Sequence, residues 1–139
     1  MRLLDEVREW IRVSAGKPGN VFVGVVHRLD RPVSGLVLFA RTSKAASRLA
    51  AAWRTRTVEK IYLGIVAGKP AESRGEVEQW LVKDEQRNVV RLVDADHPDA
   101  RRACSRYEVL ASARNSSLLR LEPLTGRPHQ LRVLCRSLG

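Results

Sequence analysis

The segment His27-Arg28-Leu29-Asp30-Arg31-Pro32, followed by Ser34-Gly35, holds the residues of this chain best suited to chemistry. A carboxylate beside guanidinium groups is favoured in its ionised form, which attacks carbon rather than donating a proton. An Asp between two arginines is, on residue type alone, more often a structural ion pair. Three features raise the catalytic reading here: apolar runs on both sides, the stiffening Pro32 and the turn-permitting Gly35. A hydrolase built on Asp30 would want a second carboxylate as its acid/base, and no partner stands at an obvious spacing. Cys104 and Cys135 are too few for a disulfide framework, and no Cys-x-x-Cys or His pair has metal-ligand spacing. Idle or buried thiols in a reducing cytosol are the expectation. No glycine loop is built to cradle a nucleotide phosphate.

The elements that must position this segment follow from periodicity. Leu3, Leu4, Val7, Trp10 and Ile11 recur at helical spacing and end before the breaker Gly16-Lys17-Pro18-Gly19-Asn20. Residues 21–26 and 36–40 are apolar runs of strand length that do not alternate, which predicts strands covered on both faces around the polar loop 27–35. Ser43 is the expected N-cap of a helix with Ala46, Leu49, Ala50 and Trp53 on one side. Residues 60–70 read as a strand closed by Gly68 and Pro70, and 76–82 with 89–93 as a hairpin over an acidic turn. Residues 101–110 alternate as a half-buried strand, 118–121 supply another, and a terminal helix is expected to start near Pro128. The prediction is an α+β domain: a mixed, mainly antiparallel sheet with flanking helices.

The chain has 139 residues, 44% hydrophobic and 29% charged, a globular rather than a disordered composition. No apolar run approaches the roughly 20 residues of a membrane span, and the charged N-terminus lacks a secretory h-region. Net charge is +10, and 20 of the 25 cations are arginines, which suits forked recognition of phosphate. Residues 41–60 carry six cations and one anion, residues 100–139 eight and two, and residues 71–99 four cations against eight anions. Such asymmetry points to a basic face for a polyanion, although a generally basic, solvated surface is the plainer account.

The stretch VHRLDRPVSGLVLFA closely resembles the HRLD motif of the RluA-type family of RNA pseudouridine synthases. Lys60-Ile61-Tyr62, ending in Val66-Ala67-Gly68, is similar to that family's K-x-Y strand. The run from Leu124-Thr125-Gly126-Arg127 through Pro128-His129-Gln130-Leu131-Arg132-Val133 is similar to its TGR-x-HQ segment. The resemblance covers about residues 5–138. It implies the pseudouridine synthase catalytic fold and a base-flipping isomerase acting on structured RNA, ribosomal RNA first and tRNA second. By the same resemblance Asp30 is the nucleophile and Arg28 enters the gap left by the extruded uridine. Tyr62 packs on the uracil ring, and Arg132 pairs with the catalytic carboxylate. His27, Arg31, Arg127 and His129 are supports. Without the resemblance, a tyrosine in an apolar strand reads as an ordinary core residue.

Val33 stands where the family usually has Thr, Pro128 where it has Thr or Ser, and Leu134 where it has His. The expected organisation is a single catalytic domain over residues 1–139, truncated at both ends relative to the family and without an accessory RNA-binding domain. The implied enzyme is cytoplasmic and monomeric. It needs no metal, no nucleotide and no other cofactor, since the rearrangement is redox-neutral. The competing expectation is a non-catalytic RNA-binding remnant of the same family.

Overall fold

A computed structural model describes residues 2–16, 18–30 and 32–139. Arg31, an expected support, lies outside the described residues. The chain divides into two compact units, Met1–Val58 and Glu59–Gly139.

In the first unit α1 spans Leu3–Ser14, with Asp5 and Glu6 in its first turn and Arg12 in its last, in line with the helix dipole. Ion pairs Arg8–Asp5 (3.6 Å) and Arg12–Glu9 (2.6 Å) lace its outer side, and Arg12 holds the Glu9 carboxyl below its ordinary range. The helix appears where the periodicity predicts it, but the buried stripe is narrower. Leu4 and Val7 are half-buried and Ile11 is buried, whereas Trp10 is 69% exposed. At about 100° per residue, Trp10 falls well to one side of that stripe.

The two expected strands shrink to β1 (Gly24–Val25) and β2 (Phe39–Ala40), paired antiparallel with Gly24 opposite Ala40. They are not covered on both faces. Val23 and Ala40 are buried, while Phe22, Val25 and Leu38 are exposed and Leu36 is 93% exposed. The reason is α2 (Ser43–Arg54), which packs on one side only. A Cβ added at Gly24 would lie 2.9 Å from the Ala46 Cβ and 3.3 Å from that of Ala40. Glycine therefore lets the helix sit directly on the strand. Gly24→Ala should push α2 outward and destabilise this unit by about 1–3 kcal/mol; a urea titration of the purified variant checks this. The N-cap of α2 is Thr42, one residue before the expected Ser43, and its Oγ1 accepts from the Ala45 N–H at 3.1 Å. The half-buried side of α2 carries Ala46, Leu49, Ala50 and Trp53, as the spacing predicts.

The second unit holds β3 (Tyr62–Ala67), β4 (Arg74–Asp84), β5 (Val89–Val93), β6 (Arg101–Ser112), β7 (Ser116–Pro123) and α3 (Gln130–Leu138). The strands form one antiparallel sheet in the order β3-β7-β6-β4-β5. The expected hairpin is present as β4 and β5. Together the units give the predicted mixture of helices and antiparallel sheet.

Alternation along the strands decides which face is buried. Val66, Tyr107, Leu119, Leu121 and Leu134 form the core cluster, with Val77, Val109, Leu131, Cys135 and Leu138 packed on it, so α3 covers this face. Gly75 makes room for the Tyr107 ring: a Cβ there would meet Cε1 at 3.1 Å. The opposite face is charged, with Arg102–Glu78 (2.6 Å) and Arg106–Glu76 (2.9 Å) bridging β6 to β4. The terminal helix starts at Gln130, two residues after Pro128, because His129 holds the left-handed conformation (φ 51°), which no α-helical residue can adopt.

Candidate active site

In the first unit the polar loop is clamped at its base. His27 Nε2 accepts the Leu38 N–H at 2.8 Å, across the loop. The imidazole stacks on Trp53 of α2 with centroids 5.0 Å apart and planes at 19°. With Nε2 occupied as an acceptor, Nδ1 is the ring's remaining position for a donor. Within the loop the Val33 N–H donates to the Asp30 C=O at 3.0 Å, closing a turn directly after the carboxylate. Gly35 has φ +151° and lies against Leu29. Arg28 and Asp30 are both exposed, with the half-buried Leu29 between them. The loop thus presents a guanidinium and a carboxylate from a backbone fixed at both ends. Asp30 is not free; it takes part in an interaction, as do His129 and Arg132.

In the second unit the organising residue is Gln130, which is 4% exposed. Its Oε1 accepts from Thr125 Oγ1 (2.7 Å) and the Arg127 N–H (3.0 Å). Its Nε2 donates to the Cys104 C=O (2.8 Å) and to Ser105 Oγ (2.7 Å). One amide therefore meets all of its hydrogen-bonding capacity while pinning residues 124–130 to β6. Thr125 is also buried and accepts the Cys104 N–H at 2.9 Å. Arg127 adds an Nε–H bond to the Arg102 C=O at 2.9 Å, so it anchors this segment to the sheet.

Arg132 stands exposed in the first turn of α3, its N–H bonded to the His129 C=O at 3.0 Å. Tyr62 opens β3 opposite Leu121 and is half-buried against the core cluster that Leu131 also contacts. It is therefore neither a fully buried core residue nor a free surface ring.

The expected site residues fall into two groups. His27, Arg28 and Asp30 share one clamped loop in the first unit; in the second, Tyr62 packs on the core, while Arg127 and His129 lie on the segment leading into α3 and Arg132 in its first turn. Sequence reasoning singled out neither Gln130 nor Trp53 for its true part. Gln130 lay inside a recognised motif, but nothing in a sequence marks a glutamine amide as buried. Trp53 was assigned to an apolar helix face, with no sign that His27 would stack on it.

Both thiols are shifted upward. Burial pushes Cys104 up, helped by its hydrogen bond to Glu76 Oε1 (3.2 Å), and burial alone pushes Cys135 up. Raised thiols carry less thiolate at neutral pH. Native protein should therefore alkylate with iodoacetamide more slowly at both cysteines than urea-unfolded protein, as read by mass spectrometry over time. Among the described residues, no group of three or more His, Cys, Asp or Glu side chains is placed to hold a metal ion. No helix there is long and apolar enough to cross a membrane.

A family model described as RNA pseudouridylate synthase matches residues 3–137. A ribosomal large subunit pseudouridine synthase C of Vibrio parahaemolyticus is 34% identical over 117 residues, which cover 84% of this chain and 36% of that protein. A dual-specificity RNA pseudouridine synthase RluA of Vibrio cholerae is 38% identical over 117 residues, 84% of this chain and 47% of the relative. Among solved structures, human RNA pseudouridylate synthase domain containing 4 is similar with a TM-score of 0.82 and 28% identity, covering 99% of this chain and 56% of that one. The chain thus spans between about a third and a half of the length of these curated relatives.

Proposed function

The chain belongs to the RNA pseudouridylate synthase family, and from that membership we propose that it isomerises a uridine of structured RNA to pseudouridine, with Asp30 as nucleophile. In this reaction the bond from ribose C1′ to uracil N1 breaks, a bond from C1′ to uracil C5 forms, the C5 proton leaves and N1 gains one. The carboxylate of Asp30 supplies the attack that detaches the base. Arg28, beside it on the same loop, fills the gap in the RNA stack, since a planar guanidinium can stack on bases and bind phosphate at once. Tyr62 offers the extruded uracil an aromatic surface that offsets its lost stacking. By the family motif that it matches, Arg132 is the arginine assigned to the catalytic carboxylate, a role that a forked guanidinium suits. Arg31, the next residue in the sequence after Asp30, and His129 are supports in this scheme.

Ribosomal RNA is the first candidate substrate, because the similar Vibrio parahaemolyticus protein is named for the large ribosomal subunit. A tRNA is the second. The protein is taken to act as a monomer in the cytoplasm and without a cofactor. The observation that carries the reading is the family match over residues 3–137, which contains the HRLD, K-x-Y and TGR-x-HQ segments in order.

Incubating ribosomal RNA transcripts with the protein, then digesting to nucleosides, should show pseudouridine rising as uridine falls. Unchanged uridine in every transcript would remove the proposal. A binding-only role is the second reading, which the net charge of +10 would serve equally well. It predicts RNA retention without any new nucleoside.

A further inference from the structure

Helix α2 and the residues flanking it carry Arg41, Lys44, Arg48, Arg54 and Arg56, and residues 41–58 contain no Asp or Glu. All five cations are exposed. Elsewhere several arginines have a local partner: Arg8 and Arg12 on α1, and Arg102 and Arg106 on the sheet, each have a carboxylate within 3.6 Å. Among the described residues, no ion pair involves any of the five cations around α2.

Three of these cations sit where they cost the fold stability. Lys44 is in the first turn of α2, beside the positive end of the helix dipole, and that turn has no acidic residue. Lys44 and Arg48 are four residues apart, a like-charge pair on one side of the helix. Arg56 takes the left-handed conformation (φ 58°) beyond the helix end, where glycine is the usual residue. Its N–H bonds the Trp53 C=O at 3.3 Å, and the next N–H, of Thr57, bonds the Ala52 C=O at 3.1 Å. Exposed Ser43 and Ser47 separate the cations with small side chains, so a phosphate can approach the helix closely.

Charges placed against local preference and left unpaired are explained by an external anion. We infer that this side of α2, with Arg56 at its end, is the surface that grips the phosphodiester backbone of the RNA. The inference rests on the proposed RNA substrate and adds where the chain holds it. Because Trp53 of the same helix stacks on His27, phosphates gripped here are tied to the base of the loop that carries Asp30.

The test compares the wild-type chain with a variant carrying Lys44→Gln, Arg48→Gln and Arg56→Gln, leaving Arg54 in the last turn of α2 untouched. The probe is a stem–loop transcript with unpaired uridines, titrated over roughly 50–200 mM salt. At about 0.7–0.9 released counterions per phosphate, the slope of log affinity against log salt should flatten by roughly 2–3, with affinity down about tenfold or more near 0.1 M. The melting temperature should hold or rise, since these three cations sit where they cost stability. Replacing Arg102 and Arg106 by Gln should leave the slope as it was.

An unchanged slope in the α2 variant overturns the inference. So does a lower melting temperature, which would mean that the cations hold the fold, or binding to anionic lipid vesicles but not to RNA. Wild-type protein that shows the α2-dependent slope yet forms no pseudouridine would sink the catalytic reading and leave this surface standing. Pseudouridine formed with an α2-independent slope would do the reverse.

Discussion

Asp30→Asn should abolish pseudouridine formation, lowering turnover on the order of 10⁴-fold or more, while RNA affinity stays within about threefold. Asn matches Asp in shape and keeps the backbone C=O that closes the turn to Val33, so the loop should keep its form. Asp30 is exposed, and its replacement opens no cavity in either core. What is lost is the negative oxygen, and a neutral amide is a poor nucleophile towards carbon. RNA binding, which draws mainly on phosphate contacts, has little to lose from removing one anion. Normal turnover by the Asn variant would move the nucleophile elsewhere. Loss of turnover together with loss of binding would point to a collapsed loop instead.

The second large effect is expected at Gln130. Gln130→Leu keeps most of the side-chain volume but strands four partners: Thr125 Oγ1, the Arg127 N–H, the Cys104 C=O and Ser105 Oγ. Some of these have other bonds. The Cys104 C=O also accepts the Leu124 N–H at 2.9 Å, and Thr125 Oγ1 still accepts the Cys104 N–H. The Arg127 N–H loses the partner that holds it. Each buried polar group left unsatisfied costs about 1–3 kcal/mol, so a net loss of about 2–4 kcal/mol is expected in urea unfolding followed by circular dichroism. Activity of the folded fraction should fall by at least about tenfold, because the segment that leads into Arg132 loses its anchor. Stability within about 0.5 kcal/mol of wild type would show that the network is ornamental.

How much of this was legible beforehand depended on the kind of signal. α1, the β4–β5 hairpin, β6 and β7 were readable because a single periodicity runs through each. The limits of the sheet strands were not: β4 runs from Arg74 and β6 to Ser112, past the apolar residues that signalled them. The two runs around Asp30 were overread. Continuous apolar residues suggested cover on both faces, but one helix supplies cover on one side and leaves Leu36 and Val25 in solvent. The start of α3 near Pro128 was legible to within two residues, and only the backbone shows that a left-handed His129 delays it to Gln130.

At the site, residue types announced Asp30 and the arginines but not their scaffolding. A histidine acceptor for a backbone N–H eleven residues away, and a buried amide with four partners, arise from tertiary placement. Local sequence carries no trace of either. The ion pairing of the sheet arginines was equally hidden. It matters because it removes Arg102 and Arg106 from the cations available to RNA and directs attention to α2.

Uridine isomerisation at Asp30 has one direct readout, the fate of the hydrogen on uracil C5. Ribosomal RNA transcribed with tritium at that carbon should release it to water when incubated with the wild-type chain, in step with pseudouridine formed, and retain it with Asp30→Asn. Tight RNA binding with no tritium released by the wild-type chain, or equal release by both proteins, would contradict the account.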